Sequence, residues 1–319
     1  MTATEGSLEY RLLRRSDVPS YIDLVLPTIG KLERATGLDR GAESMIRSLS
    51  RRSIWSVLKL LQWIGRPVVT VHVAAHGNRI VGTGTLLPLP KAGYVAAMAT
   101  DPEFRGRGVA SRILTLLQND AARRHRDWLV LDVDSDNDTA IRVYRRAGYR
   151  EVAKFTWYLR TGLPPTTAPV PAGTPPATKA QLQEVAPSLE EGRGPEYRAA
   201  LPATPRRLTH METLFVSGRR VRRETWVRRS VSGVPLVIRA GYSPEPPMGV
   251  YYPLTGATPP TPEEVASLFD PATEWLRPQA PATCLAVVPE PAGAMGVALE
   301  RLGFAPVASS TAMIRPTSA

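Results

Sequence analysis

The chain has 319 residues, a formal net charge of +11 and one cysteine. That length suffices for two ordinary domains, and the lone Cys284 excludes an internal disulfide and fits a reducing cytoplasm. No apolar run of about 18 residues exists to span a membrane, and the stretch MTATEGSLEYRLLRR has neither the apolar core nor the cleavage site of a secretory leader, so a cytoplasmic protein is expected. Of the 40 basic residues, 35 are arginine and 5 lysine. With Ala, Gly and Pro also abundant, this reads as the codon habit of a GC-rich genome, and the basic balance is weak evidence for a nucleic-acid partner.

In chain order, Leu8 to Leu13 is a short strand, and Ser16 or Asp17 is placed to cap a helix toward Ile29 with Pro19 in its first turn. Gly41 to Ile64 reads as a longer helix with Ile54, Trp55, Leu58, Leu61 and Trp63 among basic neighbours. It suits a helix with an apolar face packed on a sheet, or a membrane-surface helix. VVTVHVAAHGNRIVGTGTLLPL is a hairpin about Gly77-Asn78, and Gly93 to Thr100 is the next strand. A basic glycine loop follows, Arg105-Gly106-Arg107-Gly108, then a helix to about His125. WLVLDVD is a buried strand, and Thr139 to Ala147 a helix stopped by Gly148. YREVAKFTWYLR closes as one or two strands. Thr161 to Thr178 carries six prolines and no charge, the composition of a semi-rigid linker.

Beyond the linker the pattern repeats. GYVAAMATDPEFRGRGVASRIL is shadowed without a gap by GVYYPLTGATPPTPEEVASLF, and LVLDVDSDNDTAIRVYRRAGYREVAKFTWYLR by CLAVVPEPAGAMGVALERLGFAPVASSTAMIRP. Two copies of one fold are expected, over residues 1–160 and 179–319, with 161–178 between them.

The loop carries the chemistry. A helix start presents unpaired N–H groups and the positive end of the helix dipole. Glycines admit a phosphate to the backbone and arginines add charge, so the loop is either a pyrophosphate seat or an ordinary turn with solvated arginines. A dinucleotide fold is a rival, with Gly106, Gly108 and Ser111 approximating its fingerprint and Asp132 as the ribose acid. The third glycine is missing, however, and a hairpin precedes the loop where βαβ would be needed. DVDSDND, with Asp134, Asp136 and Asp138, opens like a calcium loop, but Thr139 stands where glycine belongs and Arg145 where the closing glutamate belongs, so no metal is expected.

Arg105-x-x-Gly108-x-Ala110 resembles the R/Q-x-x-G-x-G/A motif of the GNAT superfamily of N-acetyltransferases. LDVDSDNDTAIRVYRRAGY resembles the same family's second block, with Asn137, Ala140, Tyr144, Gly148 and Tyr149 in register. The resemblance covers about residues 8 to 160. It implies an α/β fold of the α+β type, each copy a mixed, mostly antiparallel sheet flanked by helices. It implies acetyl-CoA as co-substrate, its pyrophosphate held by the amides of Arg107, Gly108, Val109, Ala110 and Ser111, with Gly106 in the turn and Arg105 shaping the loop. The strand before the loop would splay from its neighbour and pair with the pantetheine arm through Met98, Ala99 and Thr100, with Asn137 near that arm. Tyr144 matches the tyrosine that protonates the departing sulfur, a role its motif register favours; the other reading is a helix tyrosine packed in the core. Asp132 stands where some N-terminal acetyltransferases of the superfamily carry a glutamate, which makes it the expected base; the other reading is a solvated strand end. Asp134 shares its strand face, and together these carboxylates favour a cationic amine. His72 on the hairpin is an outside candidate for the base.

In the second copy Arg105, Gly106, Arg107 and Gly108 become Thr261, Pro262, Glu263 and Glu264. Tyr144 becomes Leu299, Asn137 becomes Ala292 and Asp132 becomes Val287, while the packing positions Ala266, Gly303 and Phe304 persist. This copy resembles a degenerate domain. Mycothiol synthases, which are tandem enzymes of the superfamily, keep activity in the C-terminal copy, and this chain departs from them. The expectation is an acyl-CoA-dependent N-acetyltransferase acting on a small-molecule or protein amine, as a monomer or homodimer, without nucleic-acid or membrane partners. The alternative is a non-catalytic acyl-CoA-binding protein.

Overall fold

The structure, a computed structural model, describes residues 7–28, 30, 34, 69–89, 91–169, 174–191, 193–209, 222–256 and 260–318. The helix expected over Gly41 to Ile64, with Trp55 and Trp63, lies outside the described residues.

The chain forms two compact units that interleave in sequence. The first takes the described parts of Met1–Gly30, Asp39–Glu151 and Ala312–Ala319; the second takes those of Lys31–Leu38 and Val152–Thr311. In the first unit the sheet runs in the order β1 (Glu9–Leu12), β2 (Thr70–His76), β3 (Arg79–Pro88), β4 (Ala92–Thr100), β5 (Trp128–Asp134), then the end of β11 (Ala305–Pro316). Strands β1 to β4 are antiparallel neighbours, and β4 and β5 are parallel, as a crossover through a helix requires.

Helices cover both faces. On one, α1 (Val18–Val25) packs Val18, Ile22 and Val25 onto Val73, Ile80 and Ala99. Asp17 is its N-cap residue, but its carboxylate accepts from Arg11 and from the Arg14 N–H instead of capping the helix. On the other face α2 (Val109–Arg123) buries Val109, Ile113, Leu114 and Leu117, an i, i+4, i+5, i+8 stripe, against Ala74, Val81 and Leu129. Helix α3 (Asp138–Arg146) joins the same core with Ile141 and Tyr144, and Met313 of β11 completes it.

Helix α3 ends in a Schellman turn. Gly148 takes φ +86°, and the Tyr149 N–H donates to the Tyr144 carbonyl at 3.0 Å. That turn brings the rings of Tyr144 and Tyr149 edge to face, centroids 5.8 Å apart. The Gly148 brake was legible in the sequence because no side chain adopts that φ cheaply.

The second unit repeats the plan. Its sheet runs β6 (Arg150–Thr161), β10 (Thr283–Pro289), β9 (Pro247–Thr255), β8 (Pro235–Pro244), β7 (Arg222–Arg229), and β9 and β10 are its parallel pair. Helices α6 (Pro262–Leu276) and α7 (Gly293–Arg301) pack a core of Tyr251, Phe269, Leu299 and Phe304, while α4 (Lys179–Glu191) covers the other face through Val185 and Leu189. The short α5 (Pro195–Ala200) follows α4. The proline-rich segment is tied down here: the Thr167 N–H and hydroxyl both donate to Asp270 at 2.8 Å, and the Ala177 N–H bonds the Thr225 carbonyl.

YREVAKFTWYLR makes one strand, β6, and from Val152 onward it belongs to the second unit, paired antiparallel with β10. The chain's last strand returns to the first unit from Ala312 on. The repeat explains the exchange. Arg160 on β6 donates to the Leu302 carbonyl at the end of α7, and Arg315, its equivalent in the second copy, lies against Gly148 at the end of α3. No helix among the described residues is long and apolar enough to cross a membrane.

Candidate active site

Strands β4 and β5 pair only at Ala92·Trp128, Gly93·Leu129 and Tyr94·Val130. Beyond Tyr94 they part, and among the described residues the edge of β4 facing β5 has no ladder partner from Val95 to Thr100. The cause lies in β4. Thr85 pairs with Ala96 but Thr83 with Ala99, so β4 carries one residue more than β3 over this stretch, and Ala97 sits at φ +49°. A bulge of this kind twists its strand and turns backbone groups away from the ladder. Unpaired N–H and C=O groups at such a fork accept an extended ligand with amide groups of its own.

The strand leads into the basic loop. Asp101 is fixed by the Glu103 N–H at 3.0 Å and by Arg79 at 2.5 Å. The Arg105 guanidinium donates to the Thr100 carbonyl at 3.3 Å, which ties the loop back to the end of β4. Arg107 lies over the Phe104 ring at 5.3 Å. Gly106 and Gly108 take φ +74° and +77°, and a Cβ at either would meet nothing within 4 Å. Glycine is thus required there for backbone reasons, and the space above it is open.

Gly108 is the N-cap of α2, and no side chain caps the helix. The first intrahelical bond is from the Arg112 N–H to the Gly108 carbonyl at 3.0 Å. The N–H groups of Val109, Ala110 and Ser111 therefore point out of the helix start, beside two exposed arginines. Such a helix start favours an anion. Val109 itself is 1% exposed and anchors the turn. Gly82 on β3 makes room for it: a Cβ there would collide with the Val109 side chain, and one on Gly84 would lie 2.5 Å from the Met98 sulfur.

Of the strand residues matched to the pantetheine arm, Met98 turns its side chain into the α2 core and Ala99 faces α1, so both have backbone alone to offer at the fork. The Thr100 carbonyl is taken by Arg105. Asn137 is the N-cap of α3, its Oδ1 accepting from the Ala140 N–H at 3.1 Å, which leaves its amide NH2 for any ligand.

Tyr144 is 9% exposed, and burial pushes its hydroxyl up to about 12. It is therefore a protonated donor throughout the physiological range. Asp132 lies on the opposite face of β5. Leu129, Leu131 and Val133 alternate with it and are buried against α2 and α3. Its Oδ2 accepts from the Tyr94 hydroxyl at 2.8 Å. His72 is elsewhere: its Nε2 is 2.6 Å from Asp120 on the last turns of α2, both residues buried. Burial opposes the Asp120 charge, yet hydrogen bonds from His72 and Arg123 hold this carboxyl down at about 2. The pair is a structural clamp at the far end of the helix from the loop. Tyr94, Gly82 and Gly84 were missed by sequence reasoning; only the spacing of the small residues in VGTGTL hinted at the close helix approach.

A splayed parallel pair, a bulged strand and a glycine helix start with no side-chain cap thus meet at one end of the first unit's sheet. The sequence profile of the acetyltransferase (GNAT) family matches residues 42–149. A curated relative, N-alpha-acetyltransferase 30 of Saccharomyces cerevisiae, is 27% identical over 71 residues, which are 22% of this chain and 40% of that protein. Among solved structures, a tandem GNAT protein from the clavulanic acid biosynthesis pathway superposes with a TM-score of 0.55 at 17% identity, over 98% of this chain and 99% of its own. A GCN5-related N-acetyltransferase from Sphaerobacter thermophilus gives 0.54 at 14% identity, over 97% and 96%. The protein has the fold of these tandem GNAT structures, and within it residues 42–149 match the acetyltransferase (GNAT) family profile.

Proposed function

We propose that the first unit, which runs to Glu151 and is completed by the end of β11 from Ala312 on, is an N-acetyltransferase that uses acetyl-CoA and acts on a cationic primary amine. The observation that carries this is the pairing of an uncapped, glycine-lined helix start with the β4–β5 fork. When bound, acetyl-CoA supplies an activated acetyl thioester. The amides of Val109, Ala110 and Ser111 hold its pyrophosphate, and Arg105 and Arg107 add charge around it. The β4 backbone from Met98 to Thr100 and the Asn137 amide orient the arm in the fork. Asp132, on the α1 face, attracts the ammonium group and takes its proton. Tyr144, on the α3 face, donates a proton to the sulfur as the thioester opens. Acid and base thus work from opposite faces of β5 through the same gap. Most of the rate comes from holding the reactants together, with proton transfer adding about 10²–10⁴-fold.

The test begins without an acceptor. Acetyl-CoA is titrated into the wild-type protein and Gly108→Glu, following thermal unfolding. A ligand bound only by the folded state raises the midpoint by mass action, about 2.7 kcal/mol at 100 times Kd. The rise is expected in wild type and lost in Gly108→Glu, where the carboxylate enters the phosphate's space. No rise in wild type at saturation sinks the reading. Acetyl transfer is then assayed with spermidine, tyramine, kanamycin and a hexapeptide with a free N-terminus.

A further inference from the structure

We infer that Tyr94 is a positioning residue for Asp132, the proposed base; this rests on the transferase reading above. Tyr94 forms the last paired rung of the parallel strands, opposite Val130, at the point where β4 and β5 part. Asp132 stands two residues further along β5, on the same face. The phenol is 4% exposed, and its hydroxyl donates to Asp132 Oδ2 at 2.8 Å. The hydrogen bond therefore crosses the mouth of the fork and fixes one carboxylate oxygen. A carboxylate on a free strand end turns about two side-chain torsions; one bonded to a rigid aromatic ring keeps a single orientation, which is what proton transfer over a short distance needs.

The second unit sharpens this. Its parallel pair carries the same rung, Val250 opposite Leu285, with Val287 two residues on. Both members of the pair are thus valine there, each 3% exposed. The tyrosine and the carboxylate have gone together, and the fold survives without either. Packing alone does not demand Tyr94.

The variants are Tyr94→Phe, Asp132→Asn and the double variant. Tyr94→Phe keeps the ring and removes only the donor. The probe is spermidine with acetyl-CoA, or whichever panel amine the wild-type protein acetylates fastest. Hydrogen bonds to charged groups have the strength to make Tyr94→Phe lower kcat about 10-fold, with the KM for acetyl-CoA unchanged. In the Asp132→Asn background the same change should cost less than about 2-fold, because its effect runs through the carboxylate. An unchanged kcat, or the same loss in both backgrounds, overturns the assignment. If the wild-type protein acetylates none of the probes, the transferase reading fails separately, and the bond is read by 13C NMR of aspartate-labelled protein. The Asp132 carboxyl resonance, identified by its loss in Asp132→Asn, is expected to move in Tyr94→Phe; an unmoved resonance overturns the assignment.

Discussion

Two helix starts occupy the same place in the two copies and solve the same problem differently. At α6 the orphan N–H groups are satisfied by the chain itself. Thr261 accepts from the Glu264 N–H at 3.2 Å, and Glu264 accepts from the Thr261 N–H at 2.8 Å and from the Val231 N–H at 2.7 Å. Those backbone donors hold the Glu264 carboxyl below its usual range. Glu263 pairs with Arg301 on α7. At α2 no side chain among the described residues does this work, and a Cβ on Gly108 would meet nothing within 4 Å. The neighbouring strands follow suit: β4 is bulged against β3, whereas β9 pairs with β8 without a register shift. A capping box stabilises a helix for the fold's sake. A bare helix start forgoes that stability and keeps the site for a ligand.

The largest break in this comparison should come at Tyr144. Its counterpart, Leu299, packs in the equivalent turn, where the Phe304 N–H donates to the Leu299 carbonyl at 2.9 Å. The turn therefore needs bulk, and the proposed acid role rests on the hydroxyl alone. Tyr144→Phe is expected to lower kcat by about 100-fold or more while leaving the acetyl-CoA-induced rise in unfolding midpoint intact. A variant that turns over like wild type would return Tyr144 to the core; an acetyl-CoA-induced rise with no turnover in wild type either would favour the non-catalytic, acyl-CoA-binding alternative.

The same hydroxyl marks the first copy in a pH titration. The folded pKa of about 12 lies above the ordinary 10.0 of a tyrosine, so the unfolded chain loses this proton first. The stability due to the buried neutral phenol is full below about pH 10 and falls as pH rises toward 12. Tyr149 shifts in the same direction, again by burial. Chemical denaturation between pH 9 and 12 should show a shallower loss in Tyr144→Phe than in wild type. Equal slopes would mean the hydroxyl is solvated in solution.

How much of this could be read from the residues? The elements around the loop could, because their signals are local. Gly148 demands a left-handed turn, WLVLDVD is an unbroken apolar strand apart from its two aspartates, and Arg105 to Ser111 has the composition of an anion seat. What could not be read depends on pairing between distant strands. Nothing in YREVAKFTWYLR says that it will lie beside β10 rather than β5, since the two copies offer nearly equivalent edges. Tyr94 looked like one more apolar residue because its partner lies 38 positions on. Asn137 was read through the family's ligand, while its more local use, capping α3, follows from the ordinary preference of asparagine for that position.

A smaller effect separates the two helix starts by stability alone. Thr261→Ala removes the side-chain half of the α6 capping box and is expected to cost about 1 kcal/mol of unfolding free energy, with no change in the response to acetyl-CoA. A weakened response would place the second copy's helix start in cofactor binding, against the closed geometry at Thr261 and Glu264.

The smallest expected effect divides the two roles of Asn137. Its Oδ1 is committed to the Ala140 N–H, so Asn137→Ala should cost about 0.5–1 kcal/mol through the lost cap. Asn137→Asp keeps an equally good capping oxygen but replaces the amide donor with a second acceptor. Stability should therefore return to the wild-type value in the aspartate variant, while the acetyl-CoA response is expected to stay below wild type if the proposed contact of the NH2 group with the arm is real. An aspartate variant that binds acetyl-CoA as wild type does would make Asn137 a helix cap and nothing more. The cofactor would then be held by the α2 amides and the β4 backbone alone, which are the features that the second copy has closed or straightened.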